Sequence, residues 1–235
     1  MSTIAVLQAA SAQVANSATD NFVTVTLPSP TQTGSLLVAI GVDNQGLNAS
    51  EAATPFQDNG SGNTWQIAVP TNDGQYATAN RITQRYATSI TGRSGHTVTY
   101  TSTGLFYPSI AVVELAGVVP VSPWDQSAYN YGHSVNLNPR RTGFIGQTLA
   151  PSEIAVAGMT HGGGNNETFA SNNGFTIQTS QTNTANMPIV LTTLILDNFA
   201  AAEDAYNLSP NTATDWVGLI ATYIAAPMAA VMYGL

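Results

Sequence analysis

Residues Ser35–Val42 read SLLVAIGV. The run is apolar without interruption, opens after Gly34 and closes at Asp43. Eight residues between turn formers, with three β-branched members, are too short for an ordinary helix and read as a continuous buried strand. Outward from this run the chain keeps the same grammar. FVTVTL (Phe22–Leu27) alternates apolar and polar residues, and NTWQIAV (Asn63–Val69) follows the turn DNGSG. RITQRYAT (Arg81–Thr88) sets Ile82, Gln84 and Tyr86 on one face and Arg81, Thr83 and Arg85 on the other. HTVTYTS (His96–Ser102) alternates again, and PSIAVVELAG (Pro108–Gly117) is a second buried run. Strands at such spacing with turn signals between them predict an all-β fold, a two-sheet antiparallel β-sandwich. FAAAEDAY (Phe199–Tyr206) has helical propensity but is too short to change this.

The second half repeats the first. GSLLVAIG matches PSEIAVAG (Pro151–Gly158), and SGNTWQIAV matches NNGFTIQTS (Asn172–Ser180). RITQRYA matches IVLTTLIL (Ile189–Leu196), and IAVVELAG matches WVGLIATYIAA (Trp216–Ala226). The order is kept at offsets of just over one hundred residues, which predicts two duplicated halves. The expected organisation is an N-terminal arm at 1–20, a β-sandwich domain at 21–226 and an apolar C-terminal arm at 227–235. Within the domain, pseudo-repeats at 21–117 and 151–226 flank a crossover at 118–150. Trp124, Tyr129, Tyr131 and Phe144 make that crossover too apolar for a free linker, so a single sandwich is expected.

Composition bounds the function. Only 8% of the 235 residues are charged, against about 25% in an average soluble protein. There is no lysine, and five arginines face thirteen acidic residues for a net charge of −8. Such a chain repels nucleic acid and offers it no basic stripe. Its polar surface comes from Ser, Thr, Asn and Gln, as suits assemblies in which many subunits sit close together. Cysteine is absent, which removes disulfides and thiolate metal sites. The start, MSTIAVLQAASAQVANSA, has small residues but no basic region, and Gln8 and Gln13 break its apolar stretch. No secretory leader is expected, which fits release by cell lysis to a virion surface.

The succession GSLLVAIGV, DNGSGNTWQIAV, RYATSITGRSGHTVTYTST, SIAVVELAGV with PWDQSA, and ATDWVGLIATYI resembles jelly-roll-like β-sandwich modules of phage virion proteins and of some bacterial surface proteins. The resemblance covers roughly residues 20 to 226, and its motifs are structural rather than catalytic. It implies a non-enzymatic virion structural protein: a head decoration, fibre or capsid-associated subunit that forms a symmetric oligomer, favoured as a trimer, on other virion proteins. A carbohydrate-binding module of a fibre or cell-surface protein, and a subunit of an extracellular filament, are the alternatives.

Candidate sites are sparse. No GxSxG nucleophile elbow occurs, and Ser94 near His96 in GRSGH reads as a hairpin turn. Glu114 and Glu153 interrupt apolar runs, where a carboxylate needs a partner; Arg81 and Arg85 are the expected ones. No metal cofactor is expected, with His96, His133 and His161 scattered. Asp43, Asp58 and Asp73 lie in Asx–Gly loops and are weak calcium candidates, since such loops are also ordinary turn chemistry. HGGGNNETF (His161–Phe169) is a loop without the lysine of a phosphate cradle. Trp65 and Trp216 read as core residues, while Trp124, Tyr129 and Tyr131 form the aromatic cluster suited to glycan contact. The ending VGLIATYIAAPMAAVMYGL (Val217–Leu235) is close to the roughly 20 apolar residues that span a bilayer. Pro227 splits it and no cationic anchor flanks it, so no membrane span is expected. Its first part reads as a core strand, and Pro227, Met228, Val231, Met232, Tyr233 and Leu235 read as an oligomer interface.

Overall fold

The computed structural model describes residues 4–14, 20–44, 54–60, 62–73, 80–102, 107–135, 138–162, 168–182, 187–209 and 214–227. These form sixteen strands. The first eight are β1 (Ala5–Gln13), β2 (Phe22–Thr26), β3 (Leu36–Asn44), β4 (Phe56–Asp58), β5 (Gln66–Asp73), β6 (Asn80–Ala87), β7 (Thr97–Thr101) and β8 (Ser109–Ala116). The second eight are β9 (Trp124–Val135), β10 (Arg140–Arg141), β11 (Ser152–His161), β12 (Thr168–Ser171), β13 (Thr176–Gln181), β14 (Ile189–Asp197), β15 (Ala205–Ser209) and β16 (Thr214–Ile224).

Each half builds one five-stranded and one three-stranded antiparallel sheet. The first half gives β1-β8-β3-β6-β5 and β2-β7-β4; the second gives β9-β16-β11-β14-β13 and β10-β15-β12. Adding eight to every strand number of the first half reproduces the second. The fold is therefore all-β, a jelly-roll-like sandwich present twice.

The expected single sandwich is two stacked ones. Along β3, Leu36, Val38, Ile40 and Val42 join a core shared with Ile154 and Val156 of β11, Leu191 of β14, and Leu219 and Tyr223 of β16. The alternate residues Leu37 and Ala39 face the other way, toward Val23, Val25, Val98 and Tyr100 of the three-stranded sheet. In the second half Ala155, Ala157 and Ile220 likewise face inward with Phe175 and Leu196. The two five-stranded sheets thus pack face to face as inner layers, with a three-stranded sheet outside each. A strand buried on both faces has no wet side for polar residues, which is why SLLVAIGV is unbroken. β2 has one wet side and alternates: Val23 and Val25 are buried while Phe22, Thr24 and Thr26 are exposed.

Polar contacts tie the inner layers together. Gln84 Nε2 donates to Val156 O at 3.4 Å and to Tyr223 Oη at 3.3 Å. Ser109 Oγ donates to Met187 O at 2.7 Å, Asn80 Nδ2 to Asp215 O at 3.0 Å, and Ser11 and Thr179 share a 2.6 Å hydroxyl bond. Tyr86 meets Tyr223 edge-on at 5.7 Å. Buried donors satisfied only by the opposite half set the registry of the stack. Gly158 lets the sheets approach here, since a Cβ there would fall 2.5 Å from Ile40 Cδ1 and 2.9 Å from Val190 O.

Two boundaries differ from the expectation. The stretch 1–20, expected as an arm, contains β1, an edge strand paired with β8. The stretch 118–150, expected as a crossover, contains β9 and β10, so the second unit opens at Trp124 rather than at 151. Both edge strands are paired on one flank and incompletely buried, so AVLQAASAQ and WDQSAYNYGHSV lack the apolar signature of the inner strands. The connection between the units is itself hydrogen-bonded: Val119 N–H donates to Ile224 O and Ala226 N–H to Gly117 O.

Candidate functional site

A cleft lies on the first unit, where the turn between β4 and β5 passes Arg85 of β6. It holds about 420 Å³ and is lined by Phe56, Gln57, Asp58, Asn63, Trp65 and Arg85, with Thr54, Pro55 and Thr64 at its rim. The Asx–Gly turn DNGSGN builds it. Asp58 accepts from Gly60 N–H at 2.6 Å, Asn63 Nδ2 at 3.0 Å and Trp65 Nε1 at 2.8 Å. His96 Nε2 stands 3.6 Å from Asp58 Oδ1, and His96 Nδ1 bonds Thr31 Oγ1 at 2.9 Å. The Thr31–His96–Asp58 series has the order of a hydrolytic triad, but all three side chains are buried and no substrate carbonyl can reach Thr31. It braces two loops. Trp65 packs on Phe56 at 5.6 Å and Phe56 on Tyr100 at 5.0 Å. Trp65 therefore stands half-buried in a cleft wall, packed against the margin of the core rather than inside it.

Two of the calcium candidates have other partners. Asp43 is buried and engaged by Arg81 through Nε (3.0 Å) and Nη2 (2.6 Å), and by the Tyr100 hydroxyl at 2.7 Å. Arg81 is the cation of that site: burial pulls its pKa down, but the bonds and charge of Asp43 outweigh burial and hold it above its usual value. Asp58 is spent on its own turn. Asp73 lies across from Arg81 in the β5–β6 register, and its side chain is outside the described residues. Among the described residues no group of three or more His, Cys, Asp or Glu is placed to hold a metal.

Glu114 is not paired with arginine. Gln8 Nε2 (2.6 Å), Gln32 N–H (2.7 Å) and Ser35 Oγ (2.7 Å) all donate to it, so the buried carboxylate is stabilised by hydrogen bonds alone. Glu153 has a different neighbour, Asp125. Burial first, and the Asp125 carboxylate second, push its pKa to about 7, against the pull of Thr222 and Ala150 N–H. The second unit also buries Asp204, which accepts from Thr192 Oγ1 at 2.6 Å and Ser171 Oγ at 3.0 Å. Burial raises its pKa, and these bonds oppose the rise. Tyr206, bonded to Thr192 at 2.7 Å, is raised well above the usual range by burial.

Trp124, Tyr129 and Tyr131 all lie on β9 and pair with Tyr223, Leu219 and Val217, which share one face of β16. They form a row along an edge strand. Trp124 is 41% and Tyr129 48% exposed, whereas Tyr131 packs against the central core. Trp216 is buried with Met159, Val190 and Tyr206. Of the C-terminal interface residues, Pro227 is exposed, and Met228, Val231, Met232, Tyr233 and Leu235 lie outside the described residues. No helix among the described residues is long and apolar enough to cross a membrane. Comparison with protein-family models, with curated proteins and with solved structures finds no match for this chain.

Proposed function

We propose that this chain is a non-enzymatic structural protein of a virus particle, a phage head decoration or capsid-associated subunit that assembles as a symmetric oligomer. One observation carries the reading: two jelly-roll-like units are fused through a dry core and cross-linked by Gln84, Ser109 and Asn80 into one four-layer block. Sheets stacked in this way resist shear, because each layer is held by side chains interdigitated on both faces. A surface with 8% charged residues suits close packing of copies, where like charges would repel. The apolar C-terminal arm beyond Pro227 supplies a surface that a neighbouring copy covers.

Size-exclusion chromatography with light scattering tests this reading. The expected mass is a fixed multiple of the 24.4 kDa chain, three being favoured, with binding to empty viral shells in addition. A chain that stays monomeric up to millimolar concentration and binds no shell contradicts it.

A further inference from the structure

We propose that the Trp65 cleft of the first unit is a binding site for a neutral saccharide. The cleft combines the two features such a ligand requires. A saccharide ring has apolar C–H faces that lie on an aromatic plane, and a rim of hydroxyls that need donors and acceptors. Trp65 and Phe56 provide the apolar wall; Gln57, Thr54, Thr64 and Arg85 provide polar groups beside it. The volume of about 420 Å³ falls within the roughly 300–1,000 Å³ of small-ligand sites.

The wall is pre-organised. The indole is fixed by its bond to Asp58, Asp58 by Gly60, Asn63 and His96, and the ring stack runs through Phe56 to Tyr100, which is anchored on Asp43. Little side-chain freedom remains to be lost on binding. Asn63 is held on both sides, with Nδ2 donating to Asp58 and Oδ1 accepting Thr91 N–H at 3.3 Å.

The second unit shows that bracing this turn does not require a half-exposed indole. There the equivalent residue, Phe175, is buried in the core, and Ser171 donates to Asp204 beneath it. A recess of the second unit is smaller, about 290 Å³, and is lined by Phe144, Phe175, Leu194 and Ala202 with Asn173 and Glu203. Trp65 and Arg85 have no counterpart of the same type among the residues lining that recess. Charge selects among ring-shaped ligands: a net charge of −8 disfavours phosphorylated, sulfated or sialylated ones, and in the lining the Asp58 carboxylate offsets the Arg85 charge.

The test is an array of neutral oligosaccharides of glucose, galactose, mannose and N-acetylglucosamine, probed with the full chain and followed by titration calorimetry on the strongest hit. Trp65→Ala removes the wall. Gln57→Ala removes an exposed rim amide without touching the core, so it remains informative even where Trp65→Ala disturbs folding. Each is expected to weaken binding at least tenfold, with Leu149→Ala, at an exposed apolar residue of the second unit, leaving it unchanged. Absence of binding to every neutral glycan, binding restricted to anionic glycans, or binding untouched by Gln57→Ala and Trp65→Ala would overturn the assignment. The readout does not involve assembly, so it stands or falls separately from the particle role.

Discussion

Single atoms decide the spacing of the inner layers. Gly158 is the position at which Ile40 of the opposite sheet enters, and Val190 O closes the other side. Gly158→Val is expected to destabilise the protein by about 2–3 kcal/mol in urea unfolding, the usual cost of overpacking. Ile40→Val in the same chain should recover part of that loss, because the two side chains share one space. Asp43 is the second sensitive residue: Asp43→Asn leaves the Arg81 charge buried without its counter-ion, at about 3–5 kcal/mol. Glu153 gives a pH signature. Its folded pKa, about 7, stands above the ordinary 4.5, so the folded state holds a proton that the unfolded state releases. Stability is complete below about pH 4.5 and falls as pH rises toward 7, by on the order of 2–3 kcal/mol at ~1.4 kcal/mol per pKa unit. In Glu153→Gln, urea midpoints measured from pH 4.5 to 7.5 should lose most of this slope. A slope of unchanged size would show that Glu153 is not its source.

The strands were unequally legible in the amino-acid sequence. β3, β8, β11 and β16 are interior strands with apolar residues on both faces, which made the equivalences of β3 with β11 and β8 with β16 readable, while β5 with β13 and β6 with β14 were read from their order along the chain. β1 and β9 were not readable, since an edge strand carries small and polar residues; nor was β10, which is two arginines long. The same limit hid the cleft. Trp65 alternates like a core residue, and only the fold of the DNGSGN turn shows that its indole is held at a rim by Asp58. The buried carboxylates of Glu114 and Glu153 were legible as needing partners, but Gln8, Ser35 and Asp125 come from strands and turns distant in sequence. At this scale, deletion of residues 227–235 should leave the melting temperature of the domain within a few degrees, because β16 ends at Ile224 and Ala225 is already bonded to Ser152. It should weaken self-association measured by light scattering; a deletion variant that assembles like the full chain removes the arm from the interface.

As a whole molecule the chain is one block with a duplicated plan. Its central core draws on both units, so neither unit keeps its inner sheet dry alone. Exposing a face that carries Leu36, Val38, Ile40 and Val42 costs about 25 cal/mol per Å² of apolar surface, and unfolding is expected as a single calorimetric transition. The most direct measurement of the particle role is quantitative mass spectrometry of virus particles purified from lysed cells that encode this chain. The account predicts the chain in the particle fraction at a fixed, many-copy stoichiometry relative to the main shell protein. Recovery of the chain solely in the particle-free supernatant would contradict it.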